Sequence, residues 1–188
     1  MKVIKLGGSL AQSNVLLHCL DTIEQSFKGC GGVIVPGGGG FADQVRVAQS
    51  VWHFDDKTAH DMALLAMQQM ALLFNGLKKE FVIAASVKAI DELVAQQKMV
   101  IWSPAIDELE RTDVAASWDV TSDSLAAWLA QTLSASELVL VKSADILPHL
   151  DLQALSECGI VDKAFVEFTA NANFKINIIN AQHFNGRT

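Results

Sequence analysis

The 188-residue chain lacks several features that would have classified it at once. No apolar run reaches the roughly 18 residues of a membrane-spanning helix, so no membrane partner is expected. The first residues enter a strand-like run directly, without a basic leader, apolar core and cleavage pattern, which gives the expectation of a cytoplasmic protein. Cysteine is scarce: Cys19, Cys30 and Cys158 are odd in number and unpatterned. This argues against a disulfide framework and predicts reduced thiols, mostly buried. Basic residues are also few, 14 Lys and Arg against 21 Asp and Glu for a net charge of −7. A nucleic-acid surface needs clustered Lys and Arg, so no such partner is expected. A small phosphate ligand remains compatible, because a few lysines and backbone amides suffice locally. No Gly-Lys pair occurs anywhere, which excludes the P-loop pattern G-x-x-x-x-G-K-[ST]. Tyrosine is absent altogether, and nothing physical accounts for it.

Hydrophobic residues make up 51% of the chain, enough for one domain with a full core. Short apolar runs at residues 3–6, 33–35, 81–84, 99–102, 138–141 and 176–179 read as strands. Segments of helical spacing separate them, at 13–27, 41–51, 55–77 and 122–133. The longest, 55–77, shows a face of Met62, Leu65, Ala66, Met70 and Leu73. Strands that are apolar on both faces and alternate with helices predict an α/β fold, a three-layer αβα sandwich around a mainly parallel sheet. Ligands in such folds sit at the carboxyl ends of the strands.

Two glycine-rich loops fall at such ends. The first is in VIKLGGSL, residues 3–10, and the second in GVIVPGGGGFAD, residues 32–43. Without a Cβ, glycine lets backbone N–H groups wrap an anion. Two such loops on neighbouring strands suit phosphoryl transfer. The second loop also fits the dinucleotide pattern G-x-G-x-x-A at Gly37, Gly39 and Ala42. That pattern requires an acidic strand end about 20 residues later, whereas Asp55 and Asp56 follow a helical segment. Glycines serving turns alone would cost chain entropy without return in a run of four.

Five segments resemble the amino acid kinase superfamily, in that family's order. They are KLGGSL at 5–10, VPGGGGFAD at 35–43, TSDSLAAWLA at 121–130, LVLVKSADI at 138–146 and GIVDKA at 159–164. The superfamily includes acetylglutamate, aspartate, uridylate and isopentenyl phosphate kinases. Within it, FADQVR, TAHDMALLAMQQMALL and WDVTSDSLAA resemble a narrower group. Those are the kinases of methanofuran biosynthesis, which phosphorylate an (aminomethyl)furanmethyl phosphate. The resemblance implies an ATP-dependent kinase working with Mg2+ on a small anionic acceptor. It implies an acceptor-binding part over about residues 1–120, a nucleotide-binding part over about 121–188, and a homodimer or higher homo-oligomer.

The same resemblance implies the site residues. Lys5 and Lys163 would flank the transferring group, with Asp123 between them fixing both ammonium groups. Gly7, Gly8, Ser9, Lys142, Ser143 and Asp145 would meet the nucleotide. Gly37, Gly38, Gly39, Gly40, Arg46, Trp118, Asp119 and Thr121 would meet the acceptor. Arg46 suits an acceptor phosphate, Trp118 an aromatic ring and Asp119 an ammonium group. A phosphate or carboxylate oxygen needs no general base, since it attacks without losing a proton. No residue spacing points to a metal site; Met62, Met67 and Met70 read as helix packing and His60 as a helix–helix or interface residue, with a substrate role for His60 left open by the resemblance. The segment KSADIL replaces the family's Thr-Asp-x-x-Gly pattern, residues 146–159 form a short nucleotide cover, and the chain stops at Gly186, Arg187 and Thr188, sooner than most members. These departures give the competing expectation of a catalytically silent nucleotide or oxyanion binder. A dinucleotide-dependent oxidoreductase is a third.

Overall fold

A computed structural model describes residues 1–147 and 150–186. Pro148 and His149, within the expected nucleotide cover, and Arg187 and Thr188, at the chain end, lie outside the described residues.

Six strands form one parallel sheet: β1 (Lys2–Leu6), β2 (Gly32–Pro36), β3 (Val82–Ala84), β4 (Met99–Trp102), β5 (Glu137–Lys142) and β6 (Lys175–Asn180). The spatial order is β3-β4-β2-β1-β5-β6. Successive residues of each strand alternate between two apolar layers. Val3, Val33, Val100 and Leu138 face one core; Ile4, Ile34, Ile101 and Val139 face the other. Helices cover both faces. α1 (Val15–Ser26) buries Leu16, Cys19, Leu20 and Ile23 against the second core. α4 (Val87–Ala95) and α6 (Ser122–Thr132) pack on the first. The result is the expected three-layer α/β sandwich, and every strand pair is parallel.

α2 (Gly39–Trp52) starts inside the second glycine loop, and α3 (Asp56–Leu77) follows it after Asp55 caps its first turn by accepting from Thr58 N at 2.7 Å. α3 contributes Leu64 and Met67 to one core and Met70, Ala71 and Phe74 to the other. The expected face of this helix is corrected: Leu65 and Leu73 are exposed, because the buried stripe runs through Leu64, Met67, Met70, Ala71 and Phe74. Three further helices, α5 (Ile106–Leu109), α7 (Leu152–Glu157) and α8 (Phe165–Thr169), complete the chain. The cysteine expectation is also corrected, since only Cys19 is buried; Cys30 sits exposed in the turn between α1 and β2 and Cys158 exposed at the end of α7.

The chain runs outward from β1 to β2, and later outward on the other side from β5 to β6. The order therefore reverses between β1 and β5, which places a ligand crevice at their carboxyl ends. The ladders continue one residue past the strands there: Gly7 N donates to Val141 O and Gly37 N to Leu6 O, both at 2.9 Å.

Candidate active site

Lys5 lies one residue before the end of β1, on the same side as Val3, and so points at α6 rather than at solvent. Its side chain is 4% exposed. Asp123, in the first turn of α6, meets it with Oδ1 at 2.7 Å, while Oδ2 meets Lys142 Nζ at 2.5 Å from the end of β5. One buried carboxylate thus joins two ammonium groups from the two strands that flank the crevice. Burial pushes the Asp123 carboxyl upward, but the charges of Lys5 and Lys142 outweigh it and hold the group below its ordinary range. Burial, followed by repulsion from Lys5, brings Lys142 down to about 8. The cluster of two lysines and one aspartate carries a net positive charge in a dry setting, which suits an anion.

Asp123 pairs with Lys5 and Lys142 and not with Lys163 in this structure. Lys163 is 80% exposed and its Nζ pairs with Asp119 Oδ1 at 3.0 Å. It nevertheless lines the same cavity as Asp123 and Lys142, a space of about 510 Å³ roofed by residues 156–163. Ser9 and Ser143 link the first glycine loop to the segment after β5 through their hydroxyls at 2.9 Å. Asn180 Nδ2 ties down that segment by donating to Ser143 O, Ala144 O and Asp145 Oδ1 at 3.0–3.3 Å.

The two glycine loops touch through their backbones. A Cβ on Gly37 would lie 2.5 Å from Gly8 N, so neither loop tolerates a side chain there. Gly38 and Gly39 line a second cavity of about 250 Å³ with Gly8, Ser9, Asp43 and His60. Gly37 is packed beneath, and Gly40 lies outside with open space around it. Arg46, two turns into α2, stacks over Trp118 at 3.8 Å from the ring centroid. Trp118 is fixed in turn by donating from Nε1 to Gln49 Oε1 at 2.6 Å. Arg46, Trp118 and Thr121 line both cavities, so the two spaces meet at the stacked pair. Asp119 does not line the second cavity; its carboxylate faces Lys163 instead, and the carboxylate on the second cavity's wall is Asp43. Burial lowers the pKa of His60 and so favours its neutral form.

The sequence pattern does not single out Asp162, Asn180, Gln49 or Asp43. Asp162 and Asp43 do lie within GIVDKA and VPGGGGFAD, next to Lys163 and after the second glycine loop. Asn180 interrupts an apolar run at a strand end, which is a weak local signal.

The amino acid kinase family model matches residues 1–147. A [5-(aminomethyl)furan-3-yl]methyl phosphate kinase from Methanocaldococcus jannaschii is 28% identical over 197 aligned residues, spanning 100% of this chain and 78% of that protein. Among solved structures, uridylate kinase from Archaeoglobus fulgidus superposes with a TM-score of 0.71 at 16% identity, covering 96% of this chain and 91% of its own. UMP kinase from Ureaplasma parvum gives 0.72 at 16% identity, with 98% and 91% covered. These two likenesses concern the fold.

Proposed function

The chain belongs to the amino acid kinase family and is a phosphotransferase; from that premise we propose that it moves the γ-phosphoryl group of ATP to an oxygen of a small anionic acceptor. The observation that carries this reading is the buried Lys5–Asp123–Lys142 cluster, whose Asp123 and Lys142 line one of two cavities that share Arg46, Trp118 and Thr121. The cavity over Asp123, Lys142 and Lys163 takes the nucleotide, and the cavity over Gly38 and Gly39 takes the acceptor. Residues 1–120 then supply most of the acceptor side and 121–188 most of the nucleotide side.

An acceptor oxyanion attacks the γ-phosphorus, the bond to the β–γ bridging oxygen breaks, and its electron pair stays on the departing ADP. Charge builds on the oxygens of the transferring group and of the leaving phosphate. Preorganised ammonium groups stabilise it without rearranging. Lys5 and Lys142 are held for this by Asp123, and Lys163 comes from the roof. Gly8 and Ser9 offer backbone N–H groups to the donor phosphates, with Ser143 and Asp145 beside them; the N–H of Gly7 is already given to Val141 O, so that glycine shapes the loop instead. Mg2+ would arrive on the nucleotide, where it neutralises phosphate charge. Both Asp123 oxygens are taken by lysines, and among the described residues no group of three His, Cys, Asp or Glu could hold a metal.

The relative named for [5-(aminomethyl)furan-3-yl]methyl phosphate supports an acceptor of that class, as used in methanofuran-type one-carbon carriers. Such a molecule carries a phosphate, an aromatic ring and an ammonium group. Arg46 suits the phosphate and the Trp118 face suits the ring. Asp43, on the wall of the acceptor cavity, replaces Asp119 as the partner of the ammonium group. The test is full-length chain with Mg-ATP and this phosphate, followed by ADP release and by phosphorus NMR of the product. Formation of a diphosphate that Lys5→Ala abolishes supports the reading. ATP binding with no transfer to any phosphate or carboxylate acceptor overturns it in favour of the silent binder.

The exposed apolar side chains of α2 and α3 belong against a second copy of the chain. Val47, Val51, Trp52 and Leu72 are each more than half exposed on two helices that pack side by side. Such concentrations mark interaction surfaces, and two-fold pairing is the commonest closure.

A further inference from the structure

Thr121 occupies the N-cap position of α6, yet its side chain does not cap the helix. Asp162 does so from 41 residues away. Its Oδ2 accepts from Thr121 N at 2.9 Å, Thr121 Oγ1 at 2.8 Å and Ser124 N at 3.0 Å, and its Oδ1 accepts from Ser124 Oγ. All four donors belong to the turn that carries Asp123. The attachment is reinforced by Ala164 N, which donates to Asp119 O at 3.0 Å. Asp162 is also the residue immediately before Lys163, so its carboxylate fixes where that lysine leaves the backbone.

We infer that Asp162 is a positioning residue that clamps the Lys163 segment to the first turn of α6, so that Lys163 and Asp123 address one phosphoryl group from fixed origins. The physical need is plain. Lys163 is exposed, and a long side chain on a free loop would lose much of its interaction energy to ordering. A carboxylate at a helix N-terminus is favoured by the orphan N–H groups and the dipole there, so the clamp also steadies the turn holding Asp123. Asp162 touches no reacting atom; it acts through its neighbours. This inference rests on the kinase reading only in taking Lys163 to face a nucleotide phosphate.

The experiment measures the ATP dissociation constant by calorimetry for the full chain and for Asp162→Ala, Lys163→Ala, the double variant and Asp162→Asn. A charge-assisted contact to phosphate implies a loss of about tenfold for each alanine variant. If Asp162 works through Lys163, the double variant loses about tenfold as well, because coupled residues are not additive. Asp162→Asn, whose carboxamide oxygen still accepts from the two backbone amides, recovers most of the affinity. Losses that multiply to about a hundredfold overturn the inference, as does an Asp162→Ala chain that melts earlier but binds ATP like the wild type. A wild-type chain that gives this pattern but transfers to no acceptor overturns the acceptor reading and supports the clamp. A wild-type chain that binds no ATP overturns both.

Discussion

Gly8 and Gly39 lie so close that a Cβ on Gly8 would sit 2.3 Å from Gly39 N and 2.6 Å from its Cα. Gly39 also adopts a φ of +55°, which other residues rarely take. The first and second loops are therefore one interlocked floor under the second cavity, and their spacing is set by backbone contact. Gly8→Ala must push backbone apart, at a cost of about 3 kcal/mol, which lowers the melting temperature by about 6–12 °C. Gly40→Ala meets open space within α2 and gains up to about 1 kcal/mol of helix propensity. Calorimetry of both variants checks the contrast; equal melting temperatures would refute the interlock.

The apolar face of α2 and α3 gives a second prediction. Leu72 is 65% exposed at the outer side of α3. If a second copy covers it, Leu72→Glu buries an unpaired charge in the interface and weakens the dimer by about 2 kcal/mol, or about thirtyfold. Sedimentation across a dilution series reads the shift to monomer. A variant that sediments as the wild type shows that this face is not the contact.

The parts of the fold that local chemistry dictates were legible in the sequence. Residues 99–102 form a strand because four consecutive apolar residues suit a sheet buried on both faces, and the bounds match. α4 was missed although its signal was local: Ser86 caps it by accepting from Ala89 N at 3.2 Å, and Ile90 is buried. α5, α7 and α8 are four to six residues long, too short to show a helical period. The site divides the same way. Lys5 and the glycine loops are adjacent in the chain, and their pattern is visible there. Lys142 meets Asp123 across 19 residues, Asp162 meets Ser124 across 38, and Asn180 meets Asp145 across 35. Such pairings come from sheet order and helix packing, which no local spacing encodes, so the pairing of Asp123 with Lys142 is not legible in the sequence.

The buried cluster makes a third prediction. Asp123→Asn keeps the shape of the side chain but leaves Lys5 and Lys142 facing each other without a carboxylate. Breaking a buried pair from one side costs about 3–5 kcal/mol, so the variant melts about 6–20 °C earlier. Misplaced ammonium groups lower kcat by about a hundredfold or more. Mutual repulsion also drives the Lys142 pKa further down, moving the alkaline limb of the pH profile to lower pH. An Asp123→Asn chain with wild-type stability and kcat would rule out the cluster as the organising feature.

Lys142 supplies the last prediction. Its ammonium loses a proton near pH 8 in the folded chain, against about 10.5 in an unfolded one. In the free protein kcat/KM for ATP therefore falls as pH rises through about 8, since a neutral amine no longer attracts phosphate. Bound phosphate favours the charged form, so the limb in kcat lies at higher pH. Stability moves the opposite way. Between about pH 8 and 10.5 the unfolded chain holds the proton that the folded chain has lost. By linkage this residue's contribution makes the folded state more stable as pH rises across that window, and below it the burial cost is fully present. Lys142→Arg remains charged throughout, so its kcat/KM keeps no alkaline limb near pH 8 and its stability loses this rise. A limb at the same pH in Lys142→Arg would assign the titration to another group.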